Sequence, residues 1–162
     1  MNRKQRGVAI VEFALVLPFL LLLTFITTEF GRAIWEYNTL TKSARDAARY
    51  LSTQPVDDAT AIAKARNLMV FGKLTATDSD TPLALGLTLA NVPVDPVDPA
   101  DACCTWQEVT STPVNGSAPL IKIVTVRISG YTFNSIFNSV LGLPFGALTF
   151  PNITATMRSY IA

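Results

Sequence analysis

The sequence predicts an α+β fold, in which a long N-terminal helix crosses a membrane and continues into an exposed domain with a second helix and a small antiparallel sheet. Three observations support this fold class. Residues 8–28 form an apolar run whose single ionisable side chain is Glu12. Apolar residues then recur at helical spacing as far as Leu51, and segments rich in β-branched residues follow near the C-terminus. We therefore divide the chain into a basic leader, a membrane span, the exposed half of the long helix and an α+β domain, at residues 1–7, 8–28, 29–54 and 55–162.

Composition narrows the classes of function. Of the 162 residues 49% are apolar and 15% are charged, against about 25% charged in an average soluble domain. The chain has no His, which excludes His-based metal sites and Ser-His-Asp triads. A net charge of +1 argues against a nucleic-acid partner, because nucleic-acid binding needs a basic surface. We expect no catalytic residue, no cofactor and no small-molecule substrate.

Charge is unevenly distributed along the chain. The leader holds Arg3, Lys4 and Arg6 and no acidic residue, so the remainder has 10 basic and 12 acidic residues and a net charge of −2. The apolar run that follows has 21 residues, and a bilayer core takes about 20 helical residues. By the positive-inside rule the N-terminus is cytoplasmic and the rest of the chain crosses. The alternative is a cleaved signal peptide, whose apolar region has about 7–15 residues and ends at a small-x-small site that is missing here.

Glu12 is the most informative residue of the span. A carboxylate inside a membrane helix costs at least about 2.5–3.5 kcal/mol. Glu12 therefore lies near the cytoplasmic headgroups, five residues into the span, or has a partner inside the membrane, or is protonated. The sequence alone leaves these three alternatives open.

The helix is predicted to run from about Val8 to Leu51, because no strong stop signal precedes Pro55. Pro18 lies inside the span and favours a kink. After the span, one face of the helix is apolar and is expected to pack on the domain, through Phe30, Ala33, Ile34, Tyr37, Leu40, Ala44, Ala47, Ala48 and Leu51. The other side is expected to face water with the charged residues Arg32, Glu36, Lys42, Arg45, Asp46 and Arg49.

A second helix is predicted after Pro55, with Asp57 or Asp58 as its N-cap and Gly72 as its stop. We expect it to pack on the apolar face of the first helix. Residues 83–92 are predicted to form a strand, and residues 92–102 an exposed acidic loop with three Pro. That loop could bind calcium through Asp95, Asp98 and Asp101, but the spacing matches no EF-hand, so a solvated loop is favoured.

Three further segments are predicted to be strands: 103–110, 120–131 and 152–161. The last two alternate apolar and polar residues, and together with 103–110 they predict an antiparallel sheet of three or four strands. Residues 132–150 are apolar at helical spacing. They form either a short helix covering the sheet, which we favour, or a surface for a partner.

The two cysteines, Cys103 and Cys104, are adjacent. Three states are open: a strained vicinal disulfide, which we slightly favour, a disulfide to another subunit, or free thiols. No C-x-x-C motif or four-ligand zinc set is present. The acid pairs Asp95/Asp98 and Asp78/Asp80 are the best candidates for acid–base catalysis, but no nucleophile accompanies them, so we predict that the chain is not an enzyme.

The leader and span together resemble the processing region of type IV prepilins, with the pattern RG-VAIVEF. The stretch EFGRAIWEYNTLTKSARDAARYLS and the closing IKIVTVRISGY and ITATMRSY are similar to TadE-like proteins of the tight adherence (Flp) pilus system. The resemblance implies a pilin-like fold and cleavage by prepilin peptidase between Gly7 and Val8, with Glu12 and Phe13 completing the processing motif. It also implies that Glu12 can pair with the new N-terminal amine of a neighbouring subunit.

The same resemblance implies the location and partners of the protein. These are the bacterial inner membrane, with a periplasmic domain and possible incorporation in an extracellular pilus, and, as partners, prepilin peptidase, other pilin-like subunits and the pilus assembly machinery. The role implied is that of a pseudopilin or minor pilin. The alternative is an uncleaved inner-membrane protein with one span and a periplasmic binding domain.

Overall fold

The computed structural model describes residues 3–77, 79–94, 102–110, 120–135 and 148–160. The chain divides into two units, Met1–Trp35 and Glu36–Ala162, which are described separately. The elements are, in chain order, helix α1 (Arg3–Leu51), helix α2 (Ala59–Phe71), a short 3₁₀ helix (Leu89–Asn91) and strands β1 (Cys104–Thr110), β2 (Leu120–Ile128), β3 (Thr132–Phe133), β4 (Leu148–Thr149) and β5 (Ile153–Arg158). A long apolar helix, a second helix and a small antiparallel sheet are thus present, as predicted.

The first unit consists of the N-terminal part of α1. Among the described residues, α1 is the one helix that is long and apolar enough to cross a membrane, and the side chains of its most apolar stretch are exposed. The hydroxyls of Thr24, Thr27 and Thr28 each donate to the carbonyl four residues earlier, at 2.8 Å. These hydroxyls are therefore satisfied within the helix, as a membrane environment requires. Arg32 pairs with Glu29 at 3.1 Å.

Helix α2 begins and ends where its capping residues predict. The Asp58 carboxylate accepts a hydrogen bond of 2.9 Å from the Thr60 amide at the N-cap, and Gly72 adopts the left-handed conformation (φ +70°) at the C-cap. Ser43 of α1 donates to the Met69 carbonyl of α2 at 3.1 Å. Both helices contribute to a single core, through Leu40, Ala44, Ala47, Ala48 and Leu51 of α1 and Ala61, Ala65, Met69 and Val70 of α2.

Two predictions about the exposed half of α1 are wrong. Phe30 and Ile34, expected to pack on the domain, are 66% and 48% exposed. Glu36, expected to face water, is 3% exposed. The reason is that the buried face is narrower and rotated: Glu36 lies four residues before the buried Leu40, and on a helix that spacing places both on the same side.

Strands β1, β2 and β5 form an antiparallel sheet with β2 in the centre. The three strands predicted within 103–110, 120–131 and 152–161 are confirmed, and Val124, Val126 and Ile128 of β2 enter the core. The Thr125 and Thr156 hydroxyls are 2.9 Å apart across the β2–β5 pair. Cross-strand contacts of this kind stabilise the register of a sheet.

A second, two-stranded sheet pairs β3 with β4. It supports a cluster of aromatic rings around Phe150, whose centroid lies 5.5 Å from that of Tyr37 and 5.6 Å from that of Tyr131. The Tyr160 amide, just after β5, donates to the Ser52 carbonyl after α1 at 2.9 Å. The helix predicted within 132–150 falls largely on residues 136–147, outside the described part of the chain.

The strand predicted for residues 83–92 is not formed. Gly86 has φ +83°, and the Asn91 side chain accepts from the Thr88 amide at 3.0 Å, which closes a 3₁₀ turn. The Arg66 guanidinium of α2 binds the Val92 and Leu89 carbonyls at 2.7 and 2.9 Å. The side chains of Asn91 and Arg66 thus bind backbone groups that a strand would have paired in a sheet.

Candidate processing site

The residues predicted to form a processing motif lie near the start of α1, within the first unit. Val8 is 68% and Phe13 59% exposed, and Glu12 is also exposed. A Cβ atom added at Gly7 would meet no atom within 4 Å. Packing within the chain therefore does not explain why residue 7 is glycine. A requirement for glycine at this position would come from a molecule that binds this segment.

The helix brings some of these residues together. Gly7, Val8 and Glu12 line one shallow depression, together with Val11 and Leu15. Val8 and Glu12 are four residues apart, which places them on one side of the helix about 6 Å apart along its axis. The helix thus places Val8 and Glu12 on one side, whereas Gly7 is rotated by about 140° and Phe13 by about 100° from Glu12.

The basic leader is part of the same helix. Helix α1 begins at Arg3, so Lys4, Arg6 and Gly7 have helical backbone. The side chains of residues 3–6 lie outside the described part. A protease that binds its substrate in extended form must unwind this first turn, and glycine lowers the cost of unwinding by about 1 kcal/mol relative to alanine.

Cys103 and Cys104 stand at the start of the sheet, with free thiols. Cys103 is 1% exposed, and both of its backbone groups are paired: its amide donates to the Pro93 carbonyl and its carbonyl accepts from the Arg127 amide, each at 2.7 Å. The interaction with the Cys103 thiol, and then burial, raise the pKa of Cys104. The predicted vicinal disulfide is not tested by these observations and stays a prediction.

The acidic candidates are only partly within the described residues. Asp80 accepts hydrogen bonds from the Lys73 ammonium and, at 2.9 Å, from the Thr77 amide, so it holds a turn after α2. The Lys73 hydrogen bond and then the Thr77 amide hold the pKa of Asp80 below its ordinary value. Asp78, Asp95, Asp98 and Asp101 lie outside the described part. In the part that the structure describes, no group of three or more His, Cys, Asp or Glu side chains could hold a metal ion.

Sequence reasoning missed one polar contact in the second unit. The Tyr131 hydroxyl donates to Oε2 of Glu36 at 2.7 Å, and both side chains are buried. The sequence does carry a signal for this contact, because Glu36 lies four residues before Leu40 and therefore on the apolar face of the helix. A carboxylate on such a face predicts a buried partner, because an unpaired buried charge is costly.

Comparison with known protein families finds a match in the N-terminal part of the chain. Residues 7–49 match the family model of TadE-like proteins. No curated protein and no solved structure matches the chain. The match begins at Gly7 and ends two residues before the end of α1, so it covers the candidate processing residues, the apolar span and the buried helical face. Residues 7–49 are therefore similar to TadE-like proteins, in agreement with the resemblance found in the N-terminal motifs, while the motifs near the C-terminus lie outside the match.

Proposed function

We propose that this protein acts in the biogenesis of a tight adherence pilus as a membrane-anchored pseudopilin or minor pilin. The observation that carries the proposal is the TadE-like match over residues 7–49, which begins at the glycine of the motif G-VAIV-EF. The proposed role is one of assembly and structure, not catalysis.

The apolar part of α1 supports the membrane anchor. Its side chains are exposed, its threonine hydroxyls are bonded within the helix, and its length suffices for one span. The basic leader orients the span with the N-terminus in the cytoplasm and the domain after it in the periplasm. We assign this location to the bacterial inner membrane, where prepilin peptidase acts.

Processing by prepilin peptidase is proposed to cut the bond between Gly7 and Val8. The exposed Val8 and the open space around Gly7 leave this bond accessible once the first turn of α1 unwinds. The cut removes Arg3, Lys4 and Arg6 and creates an amine at Val8. That amine can pair with the Glu12 carboxylate of a neighbouring pilin-like subunit, so that neither charge remains unpaired in the membrane.

Mass spectrometry of the full-length chain tests the processing step. Co-expression with prepilin peptidase is expected to remove the mass of residues 1–7, and Gly7→Leu is expected to block the loss while the chain stays in the membrane fraction. Gly31→Leu is the matched control, because Gly31 is also a helical glycine with no atom within 4 Å of an added Cβ. It is expected to be processed normally.

An intact Met1 terminus in the presence of active peptidase contradicts the proposed cut. That result, in a chain retained by the membrane, favours the uncleaved single-span protein with a periplasmic binding domain. Equal loss of processing in the Gly7 and Gly31 variants also counts against the motif, because it shows that the helix, not the glycine at the cut, decides the outcome.

A further inference from the structure

We propose that the outer edge of strand β1 (Cys104–Thr110) pairs with the same edge of a second copy of this protein, in an antiparallel pair of strands centred on Gln107. The contact joins the sheets β1-β2-β5 of the two copies into one continuous sheet. It is a surface of the second unit, so the proposal goes beyond the proposed function and depends neither on the membrane anchor nor on cleavage after Gly7.

Strand β1 lies at one edge of its sheet. The Arg127 amide of β2 donates to the Cys103 carbonyl at 2.7 Å, so the backbone groups of the odd-numbered residues of β1 face β2. Because successive residues of a strand alternate, the backbone groups of four residues face the outer edge: Cys104, Trp106, Glu108 and Thr110. Within the described residues, no hydrogen bond reaches the outward groups of the last three.

The two edges of the sheet differ in what holds them. Just after β5, the Tyr160 amide donates to the Ser52 carbonyl at 2.9 Å, so the end of that edge is already engaged by the chain after α1. Strand β1 has no Pro and only one charged residue, Glu108. Pro and repeated charges are devices that protect an edge from pairing. The edge open to another strand is therefore that of β1.

The hydrogen-bonding pattern selects the register. Centring the pair on Gln107 sets Trp106 of each copy opposite Glu108 of the other, and Cys104 opposite Thr110. Every outward residue of one strand then meets an outward residue of its partner. Centring on Glu108 sets two like charges opposite each other, which is destabilising, and centring on Trp106 leaves Thr110 beyond the partner strand. The register on Gln107 has the two-fold symmetry that is commonest among oligomers.

An indole N–H identifies the occupant of the edge as a second copy. Nε1 of Trp106 is buried and has no hydrogen-bond partner, which is costly for a donor that water cannot reach. In the register on Gln107, Glu108 of the second copy lies beside Trp106, with Cβ atoms about 5 Å apart. Its carboxylate can accept from the indole once the ring turns toward it. Glu108 is available, because its contact with Lys122 is long, at 3.9 Å, and exposed.

Disulfide cross-linking of the full-length chain in detergent tests the register. In a Cys103→Ala, Cys104→Ala background, Gln107→Cys places two thiols opposite each other at the centre of the pair. The Cα atoms there are about 4.5 Å apart, within the range that a disulfide spans. Mild oxidation is expected to give a product of twice the chain mass.

Val109→Cys is the matched control, because Val109 is also exposed and on the same face of the strand. Alone it is expected to give little product, since residue 109 of the partner is four residues away along the strand, about 13 Å. A mixture of Thr105→Cys and Val109→Cys chains is expected to give the product again, because these two positions lie opposite each other in the register on Gln107.

Substitutions of Glu108 separate the backbone contact from the indole contact. Glu108→Gln keeps the outward amide and an acceptor, and should retain the product from position 107. Glu108→Ala removes the acceptor and should lower the yield at least about fivefold, because two hydrogen bonds are lost per pair. Glu108→Pro removes the outward amide, which makes no bond within the described chain, and should abolish the product. Equal yields from Glu108→Gln and Glu108→Ala overturn the indole contact.

Hydrogen exchange of the unsubstituted chain gives a second measurement that does not depend on folding of the variants. Exchange of the amides in residues 104–110 is expected to slow as the protein concentration rises, because pairing protects the outward amides. Exchange independent of concentration overturns the pairing. Equal cross-linking yields from positions 107 and 109, or a product with the mass of a different protein, overturn the pairing of two copies in this register.

Discussion

The Tyr131 hydroxyl lies 2.7 Å from Oε2 of Glu36 and donates a hydrogen bond to it, although the two residues are 95 positions apart in the sequence. Tyr131 is 2% and Glu36 3% exposed. The same hydroxyl lies 3.2 Å from the Leu85 carbonyl. This contact connects α1 with the chain between β2 and β3, and it gives a buried carboxylate a donor that water cannot supply.

Loss of this donor should destabilise the protein. Tyr131→Phe removes the hydroxyl and keeps the ring, so we expect the free energy of unfolding to fall by about 1.5–3 kcal/mol, as for a hydrogen bond to a charged group. Urea unfolding of the full-length chain in detergent, followed by tryptophan fluorescence, measures this change. Tyr160→Phe is the matched control, because Tyr160 is 79% exposed. Equal stability of the Tyr131 and Tyr160 variants contradicts the prediction.

The turn held by Asp80 should weaken in acid. The Lys73 hydrogen bond and the Thr77 amide lower the pKa of Asp80 in the folded state below its ordinary value of 3.8. A carboxyl whose pKa is lower when folded stabilises the native state above its unfolded pKa. This contribution is lost as the pH falls through the folded pKa. We therefore expect a stability difference between wild type and Asp80→Asn at neutral pH that shrinks below about pH 4.

Thermal unfolding at a series of pH values measures that difference. Asp46→Asn removes the same charge from an exposed helical position and controls for net charge. A gap between wild type and Asp80→Asn that stays constant down to about pH 2 shows that Asp80 does not titrate as described.

Thiol chemistry distinguishes the states of the two cysteines. In the reduced, folded chain we expect Cys104 to be alkylated slowly near pH 8, because its interaction with the Cys103 thiol and burial raise its pKa and the thiolate is the reactive form. Peptide mass spectrometry after timed alkylation measures the rate, with the urea-unfolded chain as reference. Alkylation of Cys104 as fast as in urea contradicts a raised pKa.

The same spectra, recorded without reductant, report the predicted vicinal disulfide. It appears as a peptide that carries both cysteines, is two hydrogens lighter and takes up no alkyl group. A peptide joined to a second chain identifies a bond between subunits instead.

Local signals predicted much of the fold. Asp58 and Gly72 act as caps of α2 in the way that their residue types favour. The alternation in residues 120–131 predicted a strand, and the structure shows that its Val124, Val126 and Ile128 are the buried set. The strand predicted over 83–92 failed because side-chain hydrogen bonds compete with sheet pairing. Asn91 caps the Thr88 amide, and Arg66, from a distant helix, binds the carbonyls that follow. That second contact is tertiary, so a local pattern could not show it.

The candidate site was predicted from the resemblance of its motif to the processing region of prepilins, and the structure adds the position of each residue on the helix. Helical spacing places Val8 and Glu12 on one side and Phe13 on another. The burial of Glu36 was not predicted, because its partner Tyr131 lies far along the chain. Contacts between distant segments decide which of two helix faces is buried, and amphipathic spacing gives only an approximate direction.

The threonine hydroxyls of α1 have a consequence for recognition inside the bilayer. Each is bonded to a carbonyl of its own helix, so the hydroxyls near the C-terminal end of the apolar run are already engaged. Polar recognition within residues 8–28 then depends on a single carboxyl at the opposite end. Moving that carboxyl by four residues, from position 12 to position 16, shifts its depth along the helix axis by about 6 Å. The depth at which a polar group of another molecule can meet this helix is therefore set by Glu12, the single ionisable residue of 8–28.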